Sequence, residues 1–561
     1  MLSNIGRRGV LRADQRLLEK GTARAQSSGG HMSRLGLGAL TGLKSFRLAR
    51  RTGTPQARSS EASASAGISR RELLAGAGAG AAALLLQQRE AQAQASPRRP
   101  LVFAHTTIIN VDSVQDEVAL AVDGDTIAAI GSTDAILARY PNAEVYDGRG
   151  KALLPGLINC HMHMSATLER GFNEDFGFPN SARLNVRPAS LLQGEENTLM
   201  VTIGALEAIR SGATTIVQNE GGIGRHAAAL AKSGLRCVFA ESVRDTENVA
   251  GPMSADGFAK SEAPRFSARL RDAGLQSIND LFTSWHGAEQ GRISVFPAAA
   301  LAETSSPELL QAVRAFAEKH DVGYTIHLSQ SQAEIDFMVR YHGVRPPAFL
   351  DKAGFLGPRL FAAHCRYMDD GDIALVGRAG ITVSHQAAMA ANRGVIPPIA
   401  RLRAAGCTIA NGTDNNTNDI FEVLRVALMT ERISRNDTNP GTRPQPEDML
   451  EDNTRGGARA VQQSARLGAL AAGKKADLIV LDTRRPHLVP AGRILSAWIH
   501  NGQPSDIESS MVDGRFVMRD RKILTLDEAA LVTEADKVGR RIWSKVLESG
   551  PLALPGRPGR G

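Results

Sequence analysis

The chain has 561 residues, 42% apolar and 22% charged, so it can bury a large core plus one appended module without help from disulfides. Its net charge of +8 resides in residues 1–95, where 15 lysines and arginines face 5 acidic residues, whereas residues 96–561 hold 51 basic and 53 acidic side chains. The folded part therefore lacks the basicity typical of nucleic-acid-binding proteins, and its four widely spaced cysteines imply no disulfide framework.

Residues 1–95 are interpreted as a leader. The sequence SRRELL at 69–74 is followed by a weakly apolar run at 75–86 and by AQA at 93–95, a small-residue cleavage site. This order resembles a twin-arginine export signal. The apolar run, about 12 residues long, is too short to cross a hydrocarbon layer of roughly 30 Å as a helix. We therefore expect a disordered leader with a signal peptide, export to the periplasm or the outside, and no stable membrane anchor.

Two strand-rich segments lie far apart in the chain. The first contains LVFAHTTIINV and EVALAVDGDTIAAIG, with Asp123-Gly124-Asp125 as a hairpin turn. The second contains three further apolar runs interpreted as strands, KKADLIVLD (474–482), SAWIHNG (496–502) and ESSMVDGRFVMRDRKIL (508–524). Neither segment has enough strands for a stable sheet, so both are expected to contribute to one small β-sandwich.

Between these segments strands and helices alternate, which favours parallel βαβ units. Eight such units close a barrel whose catalytic groups lie at the carboxyl ends of the strands. The predicted strands are LLPGLINC (153–160), ATTIVQN (213–219), RCVFAES (236–242), RISVFPA (292–298), GYTIHLS (323–329), LFAAHC (360–365), GITVSHQ (380–386) and CTIANGTD (407–414).

The predicted fold is therefore α/β, a (β/α)8 TIM-like barrel over 154–470 with a β-sandwich made by 96–153 and 471–530. A C-terminal helix and tail are expected over 531–561.

Ionisable side chains stand at the predicted ends of the barrel strands. His161 and His163 follow the first strand two residues apart, so both imidazoles face one side of an extended segment. A single histidine at a strand end is by default a hydrogen-bonded structural residue, but several at one end of successive strands predict a divalent metal site. The set consists of His161, His163, His327, His364, His385 and Asp414.

With these motifs in place, the chain resembles the amidohydrolase superfamily, in the branch that contains cytosine deaminase, adenosylhomocysteine deaminase and the triazine hydrolases. The resemblance covers roughly residues 101–530. It is carried by PGLINCHMHMSATLERG, SGATTIVQN, YTIHLSQSQAEID, LFAAHCRYMDDGDI, ITVSHQ, GCTIANGTDNN and GALAAGKKADLIVLD.

The resemblance implies a hydrolase with one divalent ion held by His161, His163, His327 and Asp414. Zinc is the expected metal, with Fe(II), Mn and Co as alternatives. No lysine ends RISVFPA, so a binuclear site bridged by a carboxylated lysine is not expected. The ion would lower the pKa of a bound water from about 15.7 towards about 7. Asp414 would then move the proton, and His364 would stabilise charge on the attacked atom.

Two segments depart from the family pattern. In the deaminase relatives a glutamate follows the fifth-strand histidine by three residues and protonates the ring under attack. Here that position is Gln330, which can donate a hydrogen bond but cannot transfer a proton at neutral pH. Glu334 is a weaker candidate for the acid. Where the relatives have His-Asn-Pro-x-Ser-Asn, this chain has His385 followed by QAAMA, so we expect a changed, less polar pocket with Gln330 and His385 at the substrate.

Three functions stay open. The first is hydrolysis of a non-peptide carbon–nitrogen bond in an amide, urea, carbamate or substituted heterocycle. The second is deamination of a purine, pyrimidine or triazine-type heterocycle, and the third is a non-catalytic relative, which predicts lost metal ligands. A small-molecule substrate is expected, nucleic-acid binding is not, and self-association stays open. The remaining polar residues near strand ends, interpreted as turn and capping residues, are Arg366, Asp369, Asn415 and Asn416.

Overall fold

The structure is a computed structural model that describes residues 99–176, 184–438 and 443–550. The predicted export signal at 69–95 lies outside these residues. Within the described part, no helix combines the length and the apolar character that a membrane crossing requires.

Strands account for both predicted sheets. In chain order they are β1 Leu101–Ile109, β2 Val114–Asp123, β3 Thr126–Ser132, β4 Glu144–Asp147, β5 Lys151–Pro155, β6 Leu157–Met162, β7 Ala213–Glu220, β8 Arg236–Val243, β9 Ile293–Leu301, β10 Tyr324–Leu328, β11 Leu360–His364, β12 Thr382–His385, β13 Thr408–Asn411, β14 Leu478–Asp482, β15 Ile507–Val512, β16 Arg515–Arg519 and β17 Lys522–Ile523.

Helices fill the crossovers and the carboxyl terminus. They are α1 Thr133–Arg139, α2 Asn173–Phe176, α3 Glu196–Arg210, α4 Ala227–Lys232, α5 Ala255–Ala259, α6 Ala268–Trp285, α7 Pro307–Lys319, α8 Gln332–His342, α9 Pro346–Lys352, α10 Asp370–Ala379, α11 Ala387–Asn392, α12 Ile399–Ala404, α13 Ile420–Arg435, α14 Pro446–Glu451, α15 Gly457–Ala460, α16 Ile494–Asn501 and α17 Glu528–Glu548.

The barrel consists of β6 to β13, which lie side by side in chain order in one eight-stranded parallel sheet. A parallel bridge between Met162 and Asp414 brings the last strand back to the first. Apolar runs form these strands because both of their faces are covered, and every residue of β6 is buried. The predicted (β/α)8 barrel is therefore confirmed.

Helix α7 shows how the crossovers cover the barrel. Its N-cap Ser306 accepts a hydrogen bond from the amide of Leu309, and Pro307 occupies the first turn, where a missing amide proton costs nothing. Leu309, Leu310, Val313 and Ala317 are its buried residues. Their helical spacing places them on one stripe, and burying each of the larger ones contributes roughly 1.5–3 kcal/mol.

The second sheet has nine strands contributed by both ends of the chain, in the order β17-β16-β15-β14-β5-β1-β2-β3, with β4 paired to β1. Side chains from its strands form an apolar cluster. In this cluster the Phe103 ring lies 5.0 Å from the Tyr146 ring and 6.2 Å from the Phe516 ring, centroid to centroid. The prediction that both ends of the chain contribute to one β layer is confirmed, since β14 pairs with β5, and this layer is called the sandwich below.

Two predicted strands need correction. Residues 153–155 of the predicted first barrel strand belong to β5 in the sandwich, and the barrel strand starts at Leu157. Gly156 separates the two sheets, where a Cβ would lie 2.0 Å from the Thr214 hydroxyl. The segment 496–502, predicted as a strand, is mostly helix α16, because its buried residues Leu495, Trp498 and Ile499 repeat with helical spacing.

A buried ion-pair cluster joins the barrel to the sandwich. The Arg236 guanidinium on β8 donates to both carboxylate oxygens of Asp477, at 2.8 and 3.1 Å, and to Asp513 at 2.5 Å. The Arg236 and Asp477 side chains are 3% and 4% exposed. The two layers are therefore connected by charge as well as by apolar packing.

Candidate active site

Five of the six predicted side chains meet at the carboxyl end of the barrel. The nitrogen and oxygen atoms that could bind a metal lie within 4.8 Å of one another in two overlapping groups. The first group is His161, His163 and His327, and the second is His161, His364 and Asp414. They belong to β6, β10, β11 and the turn after β13, so the strand ends bring together residues far apart in sequence.

Neighbouring strands orient two of the imidazoles. Nδ1 of His163 contacts the carbonyl oxygen of Asn219 on β7, and Nδ1 of His327 lies 2.7 Å from the carbonyl oxygen of Ala300 on β9. Because a carbonyl oxygen only accepts, each Nδ1 carries the proton and each Nε2 is left as a lone pair. The two Nε2 atoms are 3.3 Å apart.

This separation fits a bound cation. Two lone pairs so close together repel unless a proton or a metal lies between them. Two nitrogen ligands at about 2.0–2.1 Å on a tetrahedral ion are separated by about 3.3 Å. An Asp414 oxygen lies 3.6 Å from the same Nε2 of His163. The donor set therefore has the spacing as well as the chemistry of a metal site.

The imidazoles of His161, His327 and His364 are held neutral, which is the form that binds metals. Burial lowers the pKa of His161 and of His364 well below 6.5, and it lowers that of His327 to about 3. Neither ring nitrogen of His161 has a hydrogen-bond partner among the residues that the structure describes. A buried polar nitrogen left without a partner is costly, and a metal ion would satisfy it.

The turn at the end of β11 and the one after β13 have strained backbones. His364, Cys365 and Asp414 adopt φ angles of 78°, 52° and 61°, in the left-handed region that side chains other than glycine seldom occupy. The amide of His364 donates to the side-chain oxygen of Gln386 at 2.8 Å, which helps to hold this conformation. Such strain concentrates at functional sites, where the surrounding structure fixes side chains in one direction.

A cavity of about 380 Å³ opens onto this group. It is lined by apolar residues, among them Pro252, Leu301 and Met389, and by three arginines and two carboxylates. The charged lining residues are Glu220, Arg244, Arg366, Arg393 and Asp414. The lining is therefore mixed, and the less polar pocket expected from the sequence stays a prediction.

Gln330 lines the cavity, as the sequence predicts, and its side-chain nitrogen is buried without a hydrogen-bond partner in the described part of the chain. Glu334 does not replace it as an acid. Its carboxylate is buried and accepts hydrogen bonds from the amides of Ser329, at 2.8 Å, and Gln330, at 2.7 Å. Glu334 thus fixes the turn that presents Gln330.

His385 is not among the described residues that line the cavity. Its imidazole is buried, and burial together with the nearby positive charge of Arg403 lowers its pKa to about 3. His385 thus occupies the interior of the barrel wall, and its tentative assignment to substrate binding has no support in this geometry.

Four charged residues line the cavity although the sequence patterns do not assign them to the site. Glu220 directly follows the predicted strand 213–219, and Arg244 comes two residues after the predicted strand 236–242, so the rule that placed the histidines could have found them. Arg366 was interpreted as a capping residue. Arg393 follows α11, and no local sequence pattern places it at the barrel mouth.

The sequence of this chain is similar to known protein families and to individual proteins. The family model described as amidohydrolase family matches residues 152–517, and a bacterial imidazolonepropionase-like composite domain matches residues 119–143. A 5-methylthioadenosine/S-adenosylhomocysteine deaminase from Desulforudis audaxviator is 30% identical over 434 residues, covering 76% of this chain and 95% of that protein. A 5'-deoxyadenosine deaminase from Methanothermobacter thermautotrophicus is 32% identical over 399 residues, covering 70% and 88%.

Solved structures share the fold at lower identity. An adenosine deaminase from Xanthomonas campestris with bound zinc superposes with a TM-score of 0.71 and 24% identity, over 79% of this chain and 98% of that one. An atrazine chlorohydrolase from Arthrobacter aurescens TC1 complexed with zinc gives a TM-score of 0.70 and 20% identity, over 78% and 100%.

Proposed function

The chain belongs to the amidohydrolase family, and from this premise we propose that it is a metal-dependent hydrolase acting on a carbon–nitrogen bond other than a peptide bond. The observation that carries the proposal is the pair of Nε2 atoms, on His163 and His327, that face each other at 3.3 Å. A non-catalytic relative would have no use for such a group and would be expected to lose it.

The proposed ligands are His161, His163, His327 and Asp414, around one ion. Zinc is the first choice because imidazole and carboxylate suit it, and zinc is bound in the two solved structures named above. Bound there, the ion would supply hydroxide at neutral pH by lowering the pKa of water. Fe(II), Mn and Co remain alternatives.

Asp414 is proposed as the proton carrier. Its carboxylate is buried, and burial raises its pKa despite the positive charges around it, which makes it a better proton acceptor than an exposed aspartate. One of its oxygens lies 3.8 Å from Nδ1 of His364. The same carboxylate can therefore accept a proton and later return it to the leaving amine.

His364 is proposed to stabilise negative charge on the attacked atom. Its ring lies 5.4 Å from that of His327, centroid to centroid, and it lines the cavity. Its Nδ1 has no hydrogen-bond partner in the described residues, so it is available to a bound substrate.

The substrate class follows from Gln330. The side-chain amide of Gln330 can donate a hydrogen bond to a ring nitrogen or a leaving group, but it cannot protonate either one. Hydrolysis of an amide, urea, carbamate or substituted heterocycle, whose leaving group requires less ring protonation, is therefore the first candidate. Deamination of a heterocycle is the second candidate, and the names of the relatives at 30% and 32% identity favour it.

Turnover on a substrate panel separates the two candidates. Purified, metal-loaded protein would be incubated with amides, ureas, carbamates and aminoheterocycles, and the release of amine and of ammonia would be measured. Amine release from the acyclic substrates supports the first candidate. Activity confined to aminopurines or aminopyrimidines supports the second and rejects the first.

Export remains a separate proposal, supported by the pattern SRRELL, apolar run and AQA in the first 95 residues. Replacing Arg70 and Arg71 together by lysine should retain the protein in the cytoplasm. Unchanged export of that variant would contradict a twin-arginine signal.

A further inference from the structure

The positive charge at the cavity is more than the chemistry proposed above requires. Arg366 stands two residues after His364, and Arg393 follows the segment in which the chain departs from the family pattern. Both guanidinium groups line the cavity, and both act on the Asp414 carboxylate by lowering its pKa. Both arginines therefore line the same cavity as the proposed metal ligand.

The Arg366 guanidinium is only partly satisfied. Its Nη2 donates to the carbonyl oxygen of Gln330, whereas Nε and Nη1 are buried with no hydrogen-bond partner among the described residues. Burial lowers the pKa of Arg366, but an arginine stays charged at any pH at which proteins fold. Guanidinium nitrogens buried without hydrogen-bond partners are unfavourable, and an anionic oxygen beside them removes that cost.

The carboxylates of the cavity do not supply this counter-ion. Within 4.0 Å, the ion-pair contacts of Asp414 are to the imidazoles of His163 and His364. Glu220 accepts a hydrogen bond from Ser165 at 2.7 Å and lies 3.5 Å from Nε2 of His226. Among the described residues, Arg366 has no carboxylate within 4.0 Å.

We infer that the substrate carries an anionic oxygen group, a carboxylate or a phosphate, which Arg366 and Arg393 hold while the carbon–nitrogen bond lies at the metal centre. The inference rests on the proposed function and narrows its substrate class. The planar guanidinium presents paired N–H donors that match carboxylate and phosphate oxygens. Pro252, Leu301 and Met389, which also line the cavity, would contact the apolar body of such a molecule.

Binding of small probes tests this directly. The metal-loaded protein would be titrated calorimetrically with benzoate, phenyl phosphate and benzamide, which share an aromatic body and differ in the attached group. Benzoate or phenyl phosphate should bind at least about tenfold more tightly than benzamide, and the tighter of the two identifies the anion. Equal affinity for all three probes would overturn the inference.

Variants show where the anion binds. Arg366→Gln and Arg393→Gln should each weaken the preferred anion by about tenfold or more and leave benzamide unchanged. Arg366→Lys keeps the positive charge but loses the paired N–H donors, so its anion affinity should lie between those of wild type and Arg366→Gln. It replaces Arg366→Gln in the comparison if that variant does not fold. The control is Arg401→Gln, because Arg401 lies on α12 and its side chain is 55% exposed. Anion affinity unaffected by both glutamine variants would mean that the metal alone binds the probe, and the inference would be wrong.

Failure of the two proposals can be told apart. Turnover of neutral carbon–nitrogen substrates without preference for anionic probes would reject the anion site and retain the hydrolase. Anion binding that depends on Arg366, in a protein that hydrolyses neither the panel nor carboxylated and phosphorylated members added to it, would retain the anion site and reject the hydrolase.

Discussion

The backbone amide of Asp414 donates a hydrogen bond of 2.9 Å to the carbonyl oxygen of His161. In return, the amide of His163 donates to the carbonyl oxygen of Asp414 at 3.2 Å. The last strand of the barrel thus meets the first at the residues proposed to bind the metal. Closure of the barrel and assembly of the site are one structural event, so a backbone change at this junction should impair metal binding even when every ligand is present.

Gly412→Ala tests this coupling. A Cβ at Gly412 would lie 2.8 Å from both the nitrogen and the oxygen of His161, so the His161 backbone has to shift. We expect metal affinity to fall by at least about tenfold, since ligand positions matter at the level of tenths of an ångström. The control is Gly377→Ala, where a Cβ would lie 2.4 Å from the Ala405 carbonyl oxygen, away from the metal centre. Competition with a chelator measures both variants, and equal metal loss in the two would contradict the coupling.

Asp414→Asn should abolish most of the activity. The amide cannot accept a proton at neutral pH, so kcat should fall by about 10²–10⁴-fold, the usual contribution of a general base. The comparison is Asp336→Asn on the exposed side of α8, which should leave kcat unchanged. A variant of Asp414 that keeps most of its turnover at unchanged metal content would assign the proton transfer to another group.

Gln330→Glu restores an acid at the cavity three residues after His327. We expect ammonia release from aminopurines to rise by at least about tenfold, because the ring nitrogen under attack could then be protonated. Gln332→Glu, an exposed position on α8, makes the same chemical change outside the cavity and should have no effect. If ammonia release is equal in wild type and Gln330→Glu, the amide is not what limits deamination.

The buried ion pair between barrel and sandwich makes a prediction about stability. Asp477→Ala should lower the free energy of unfolding by about 3–5 kcal/mol, because the Arg236 guanidinium would stay buried and, among the described residues, keep Asp513 alone as a carboxylate partner. Asp370→Ala removes the exposed pair with Arg401 and should cost less than about 1 kcal/mol. Urea unfolding of both variants gives the comparison. Similar values for the two would show that this cluster does not stabilise the junction of the layers.

Acid sensitivity should depend on His385. Because burial lowers its pKa to about 3, the folded protein keeps the ring neutral between pH 6.5 and 3 while the unfolded chain binds a proton. The free energy of unfolding therefore falls with falling pH, by at most about 1.4 kcal/mol per pH unit from this residue. His385→Phe should make that dependence shallower, as measured by urea unfolding between pH 4 and 7.

Glu303 should change the free energy of unfolding with pH in the opposite direction. Burial raises its pKa to about 7, so the folded protein binds a proton that the unfolded chain lacks, and acidification from pH 7 stabilises the protein through this residue. Glu303→Gln should therefore make stability fall more steeply on acidification. Identical pH dependence in wild type, His385→Phe and Glu303→Gln would contradict both assignments.

The barrel and the histidine group were predictable because they follow from short-range rules. Buried parallel strands are apolar runs bounded by turns, and residues at their carboxyl ends converge once the barrel closes. His161, His163, His327, His364 and Asp414 all obey this rule, and the structure places them together.

What the sequence could not predict depends on contacts between distant segments. The run at 153–160 is mainly apolar, and its strand pairing shows that Gly156 divides it between two sheets. Trp498 lies in a helix because it and Ile499 are buried three and four residues after the buried Leu495, although the composition there suits a strand. Arg393 reaches the cavity through the path of the loop after α11, which no local pattern specifies.

Metal content of the purified protein tests the central claim most directly. Elemental analysis of wild type, His163→Ala, His327→Ala and the control His500→Ala on α16 would be combined with turnover on the substrate panel. We predict about one divalent ion per chain in wild type and in His500→Ala, and loss of both the ion and turnover in the other two variants. Wild-type protein that binds no metal after reconstitution with Zn, Fe(II), Mn or Co would contradict the account and support a non-catalytic binding protein.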